Sequence, residues 1–236
     1  MRHCLLFVLT FIFAAGAFAQ GTIVVHDPML PAKDGEAKPP RSIEKIYETK
    51  ILPPVRKKLV SDSCSDSPTF TGAVNGSFTK AGARQTAVFY QFCETGNGLG
   101  MVGLAIIENG RLVSSFVQDS GWAFDIGRVA DVNRNGLDEI ALEFGGGMHQ
   151  GEGGTGVSIY EFKDGKPVEL GWYQSSKFTE TETTAAWRLT AKPGKRPIFY
   201  RQKYVMNRAG KYRRSGANKA FKLEELEGGN EFEEVK

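Results

Sequence analysis

The sequence predicts a mainly β protein built from antiparallel four-stranded meander repeats, and three observations carry that expectation. From Thr69 onward, apolar residues alternate with polar ones in short runs broken by glycine, the period of two that strands and tight turns impose. Ser77 to Val88 aligns without gaps on Asp131 to Leu142, so the chain repeats itself. Downstream of each copy stands a dipeptide that accepts positive φ at adjacent positions, Asn109-Gly110 and, after one inserted residue, Asp164-Gly165. Both predict type I′ hairpin turns.

The elements follow in order. Arg2 and His3 precede an apolar run from Leu5 to Ala15, which closes on the small-residue site Ala17-Phe18-Ala19. Residues 1–19 therefore read as a signal peptide cleaved after Ala19, and a secreted or periplasmic location is expected. The run is shorter than the roughly 20 apolar residues a bilayer core requires, so no transmembrane segment is expected in the mature chain. Residues 20–40 carry Pro28, Pro31, Pro39 and Pro40 without sustained periodicity and read as a flexible lead. Residues 41–62 place Ile43, Ile46, Tyr47 and Ile51 at near-helical spacing, with Ser42 as N-cap and Pro53-Pro54 as the stop. One short N-terminal helix is expected there.

Residues 63–224 form the β-repeat domain, with two clear copies and a fainter candidate third near Gly194, where Ile198-Phe199-Tyr200 would repeat a strand. In the second copy the strands read as Ala123 to Val132, Glu139 to Phe144, Gly156 to Lys163 and Pro167 to Gln174. Four strands in a meander are the anatomy of a propeller blade. The copies are too few for the four or more blades of a closed propeller, which leaves an irregular blade array or a β-sandwich. Residues 225–236 are an acidic tail.

The formal net charge of +3 gives no global electrostatic instruction, but the charges are segregated. Lys192 to Lys222 holds no acidic residue, while Glu224, Glu225, Glu227, Glu231, Glu233 and Glu234 dominate the end of the chain. The basic stretch interleaves Tyr200, Tyr204, Tyr212 and Phe221, and an acidic polysaccharide or a protein surface is the partner class it fits. The competing reading is a solvated strand face partly neutralised by the tail. Nucleic acid is not an expected partner for an exported chain. The mature chain retains Cys64 and Cys93, an even pair that predicts one disulfide worth on the order of 3–4 kcal/mol in the chain-entropy model. A metal or catalytic thiol lacks the CxxC spacing or a nearby histidine.

The chemistry is concentrated in Asp131-x-Asn133-x-Asn135-Gly136-x-x-Glu139. Oxygen ligands stand at positions one, three, five and nine, the Leu137 carbonyl is available at seven, and glycine at six permits the sharp turn that gathers them around a calcium ion. This is not an EF-hand, since position twelve is Leu142 and a strand pattern follows. The pattern resembles the FG-GAP or VCBS repeat of integrin α-type propellers and many exported bacterial proteins. The likeness covers Trp122 to Gln174, with Thr69 to Gln118 as a degenerate copy. The resemblance implies a calcium loop between two strands of a blade, with Asp131, Asn133, Asn135 and Glu139 as side-chain ligands. Asn135 and Glu139 stand where aspartate is commoner, and two formal charges imply weak affinity, roughly 0.1–1 mM. The competing reading is a metal-free turn, because Asn-Gly turns without help. In the first copy the ligand positions become Ser77, Thr79, Ala81 and Gln85.

Gly151 to Gly156 contains a GxGxxG, but a strand pattern follows it and a dinucleotide site needs a helix. The stretch Gly145 to Gly156 reads as a mobile loop carrying His149. Two functions survive: an exported non-catalytic calcium-binding module for binding or scaffolding, and a small exported hydrolase using His149, Glu143 and Glu152. No spacing joins those three residues as acid, base and nucleophile.

Overall fold

The computed structural model describes residues 21–30, 38–59, 68–93, 100–146, 150–179, 183–225 and 231–235. The chain enters on a strand β1 (Ile23–His26) and passes through a helical run of α1 (Arg41–Ile46), a π-helical turn (Tyr47–Ile51) and α2 (Leu52–Leu59). A four-stranded antiparallel meander follows: β2 (Thr69–Gly76), β3 (Gln85–Phe92), β4 (Gly100–Glu108) and β5 (Arg111–Ser120). A second meander runs through β6 (Trp122–Val129), β7 (Glu139–Gly145), β8 (Glu152–Lys163) and β9 (Lys166–Thr179). It continues in the same sheet as β10 (Thr183–Lys192), β11 (Ile198–Met206) and β12 (Tyr212–Phe221), and a short β13 (Glu233–Glu234) ends the described strands. The result is two open sheets, of order β13-β5-β4-β3-β2 and β12-β11-β10-β9-β8-β7-β6, with β1 paired to β10.

The period of two places alternate residues in different layers. Ala87 and Phe89 of β3 point between the sheets, where they meet Leu104, Phe116, Ile140 and Leu142. Val88, Tyr90 and Phe92 point the other way, into a layer with Ile43, Tyr47, Ile51 and Val55 of the helical run. The outer face of the second sheet gathers Val129, Ile159, Tyr173 and Leu189 with Val25 of β1. Each fully buried Leu, Ile or Phe contributes about 1.5–3 kcal/mol relative to exposure, so the central layer holds the sheets together. The hairpin dipeptides behave as their chemistry dictates: φ is +49° and +73° at Asn109-Gly110, and +51° and +77° at Asp164-Gly165.

Several expectations are corrected. The lead of residues 20–40 contains β1, because Val25 is buried and the register Ile23↔Ala191 adds it to β10. Pro53-Pro54 does not stop the helix. The chain widens into a π turn just before, with the Leu52 N–H bonding the Tyr47 carbonyl, and this turn carries the chain into α2 despite rings that cannot donate. The candidate third copy is not a separate blade but the continuation of the second sheet through β10 to β12. In the stretch expected as a mobile loop, residues from Glu152 onward are already strand, paired Glu152↔Thr179 through Thr155↔Ser176. The acidic tail is structured where Phe232 is buried against Tyr160 and Glu233 pairs with Val117. The signal peptide, Cys64 and His149 lie outside the described residues. Cys93, at the end of β3, lies within them.

Candidate metal centre

Residues 130–138 connect β6 to β7, and their side chains curl the backbone. The Asp131 carboxylate accepts the N–H groups of Asn135 at 3.0 Å and Gly136 at 2.8 Å. Asn133 Oδ1 accepts the Asn135 N–H at 3.0 Å, and Asn135 Oδ1 accepts the Leu137 N–H at 2.8 Å. These Asx turns are the local alternative that Asp and Asn offer to regular structure. Gly136 is required at its position: φ is +90°, and an added Cβ would stand 3.3 Å from the Ala81 Cβ. The loop thus brings Asp131, Asn133, Asn135 and Leu137 into one tight curl.

Glu139, the first residue of β7, is 1 % exposed. Its Oε2 accepts the Val132 N–H at 3.0 Å, while its Oε1 is buried without a hydrogen-bond partner. Burial pushes its carboxyl up to about 7; the N–H groups of Val132 and of Glu139 itself oppose the rise, and the carboxylates of Asp131 and Glu161 add to it.

Glu161, on β8, is the neighbour of this loop that sequence reasoning missed. Its Oε2 accepts Asn133 Nδ2 at 2.8 Å and Asn135 Nδ2 at 3.4 Å, and Lys163 Nζ lies 2.8 Å from its Oε1. Glu161 therefore holds the Asn133 and Asn135 amides by their nitrogens, which fixes where their oxygens stand. Among the described residues no three His, Cys, Asp or Glu side chains converge as a metal-binding group. A cation here would depend on amide and carbonyl oxygens beside Asp131 and Glu139, the hard donor set that suits calcium.

The first copy supplies an internal control. Gln85 occupies the place of Glu139, and its Oε1 accepts the N–H groups of Phe78 and Thr79 at 2.9 Å, as Glu139 Oε2 does that of Val132. Gln85 Nε2 donates to Thr79 Oγ1 and to Glu108 Oε2, both at 2.7 Å. Gln85 pairs with Glu108 across β3 and β4, and the register Ile140↔Tyr160 sets Glu139 beside Glu161 in the same way. Where the first copy has an amide NH₂, the second has a bare carboxylate oxygen. The two turns also dock on each other: Asp138 Oδ2 accepts the Ser77 N–H at 2.8 Å, the Asp138 N–H donates to the Ser77 carbonyl at 2.9 Å, and Arg128 lies 3.1 Å from Asp138 Oδ1.

The other sequence candidates have separate surroundings. Glu152 pairs with Lys177 at 2.7 Å on the surface. Glu143 Oε1 accepts the hydroxyls of Ser175 at 2.8 Å and Thr155 at 2.9 Å, and its Oε2 lies 3.7 Å from His26 Nε2. His26 Nδ1 is 2.6 Å from the buried Tyr173 hydroxyl, so this network fastens β1 to the second sheet. Burial raises the Glu143 carboxyl, but His26 and the two hydroxyls outweigh it and hold it below its ordinary value. In the basic stretch, Arg201 lies 4.1 Å over the Phe221 ring and Lys203 lies 5.7 Å from the Trp187 ring centroid. Some of those cations are thus laid on the sheet's own aromatics.

Among the described residues no helix is long and apolar enough to cross a membrane. Comparison with protein-family models, with curated proteins and with solved structures found no match.

Proposed function

We propose that this chain is an exported, non-catalytic calcium-binding repeat protein, a binding or scaffolding module in which calcium is structural in the second copy. The observation that supports this best is Glu139 Oε1, a buried carboxylate oxygen with no partner at the place where the first copy puts the Gln85 amide. Leaving a buried anion uncompensated is costly, and a cation in reach of Asp131, Asn133, Asn135, Glu139 and the Leu137 carbonyl removes that cost. The ion would neutralise Asp131 and Glu139 and lock the turn on which the first copy docks through Asp138. The first copy shows that this turn can be built without carboxylates, so their presence in the second calls for a reason beyond turn formation.

The test is thermal melting of the mature protein with calcium and with chelator. At ten times its dissociation constant, calcium stabilises by about 1.4 kcal/mol, a rise of about 3–6 °C for a domain of this size. Asp131→Ala abolishes the rise, whereas Ser77→Ala at the equivalent point of the first copy leaves it intact. Equal melting temperatures for the unmutated protein in both conditions would reduce the motif to an ordinary turn.

A further inference from the structure

A cavity of about 270 Å³ opens at the seam between the two sheets, away from the calcium loop. Glycines make up much of its wall: Gly121, Gly145, Gly146, Gly154 and Gly156 all line it. At Gly156 an added Cβ would stand 3.1 Å from Trp172 Cε3 and 3.3 Å from Cζ3, so the indole lies close over the strand at this point. Phe144 and Tyr160 supply further aromatic wall, and Gln118, Ser120 and Ser158 supply neutral polar groups. Tyr160 donates to Gln118 Oε1 at 3.4 Å, tying the two sheets together at the rim. Among the described residues, none that lines it is charged.

We propose that this cavity is a binding site for one neutral sugar ring, a single pyranose unit free or at the end of a glycan. Ligand pockets run from about 300 Å³ upward for drug-sized molecules, so a cavity at this lower limit takes one six-membered ring and no more. Aromatic faces attract the weakly positive C–H face of a saturated ring. The Gln118 amide and the Ser120 hydroxyl are the neutral, adaptable hydrogen-bonding groups that a rim of ring hydroxyls requires, while the buried Ser158 hydroxyl is engaged by Glu169 and Tyr160. The absence of charge among the described lining residues disfavours a phosphate, a carboxylate or an amine, and the polar groups of Gln118 and Ser120 disfavour an alkyl chain. The inference does not depend on the calcium reading, since none of the loop residues lines the cavity.

The experiment is saturation-transfer NMR and calorimetry of the mature protein in chelator, against methyl glycosides of glucose, galactose, mannose and N-acetylglucosamine, with indole and methyl phosphate as controls. At least one glycoside is expected to bind with millimolar affinity, with transfer strongest to the C–H protons of one ring face. Trp172→Ala removes the signal. Gly146→Leu provides the second variant: Gly146 lines the cavity and, among the described residues, nothing lies within 4 Å of a Cβ built there, so the added side chain has room at the cavity wall. It is expected to weaken binding by about tenfold or more, equivalent to 1.4 kcal/mol. No binding by any glycoside, binding unchanged in Gly146→Leu, or binding of indole or methyl phosphate in place of sugar would each overturn the assignment. The calcium-dependent melting shift is read separately and fails or stands independently.

Discussion

Replacing Glu139 by glutamine converts the second copy's site into the first copy's. The carboxyl is raised from an ordinary 4.5 to about 7. The folded state therefore holds that proton more tightly than the unfolded state, and metal-free stability is greatest below about pH 4.5 and falls as the pH rises toward 7. Once the group is ionised the full cost is on the order of 3 kcal/mol, since each pH unit is worth about 1.4 kcal/mol. Glu139→Gln removes that charge and supplies an NH₂ that can donate to Glu161 as Gln85 Nε2 donates to Glu108 at 2.7 Å, a bond worth about 1 kcal/mol. Local relaxation discounts both figures. The expected result in chelator at pH 8 is a variant more stable than the parent by about 1–3 kcal/mol, or several degrees, with the decline between pH 4.5 and 7 flattened. Calcium should no longer move its melting temperature. Urea unfolding followed by circular dichroism across pH, with and without calcium, measures both quantities. A variant less stable than the parent in chelator, or one that keeps the calcium shift, would refute the reasoning.

Asp138→Ala should cost about 1–3 kcal/mol and expose the Ser77 amide to hydrogen exchange, because a half-buried donor loses its acceptor; Asp138→Asn should cost less. Glu143 is held below its ordinary value, so it stabilises the fold above the unfolded carboxyl's range and that stability is lost as pH falls through the folded value. His26→Ala should accordingly move acid unfolding to higher pH and speed exchange at Val25, and an unchanged acid limb would count against the network. Peptide mapping of exported material should find Gln20 at the N-terminus and, without reductant, a Cys64–Cys93 linked peptide; alkylation of both thiols would exclude the bridge.

Much of the fold was legible because its signals are local. Asn109-Gly110 and Asp164-Gly165 mark hairpins by backbone chemistry alone, and the alignment of Gln85 with Glu139 already paired the two hydrogen-bonding roles seen in the structure. Glu161 was not legible, because its place beside Glu139 depends on the register of β7 and β8, which the sequence leaves free by a residue or two. β1 was hidden for a related reason: four residues carry little periodicity, and the partner strand lies far along the chain. The helix through Pro53-Pro54 was misread because the π turn that admits the rings leaves no mark in the apolar spacing. That β10 to β12 extend the second sheet rather than start a new blade is a tertiary outcome, decided by Trp187, Leu189 and Phe199 packing against the same outer face.

The two terminal strands give the chain a particular order of events. β1 finds its place against β10, and β13 finds its place against β5, each across more than a hundred residues of intervening chain. Pairings of such high contact order form late, after loop closure has been made cheap by the local hairpins. The first sheet therefore keeps an open edge at β5 until β13 arrives, and the outer face of the second lacks Val25 until β1 pairs. A chain arranged this way completes neither sheet until these two outlying strands are free to pair.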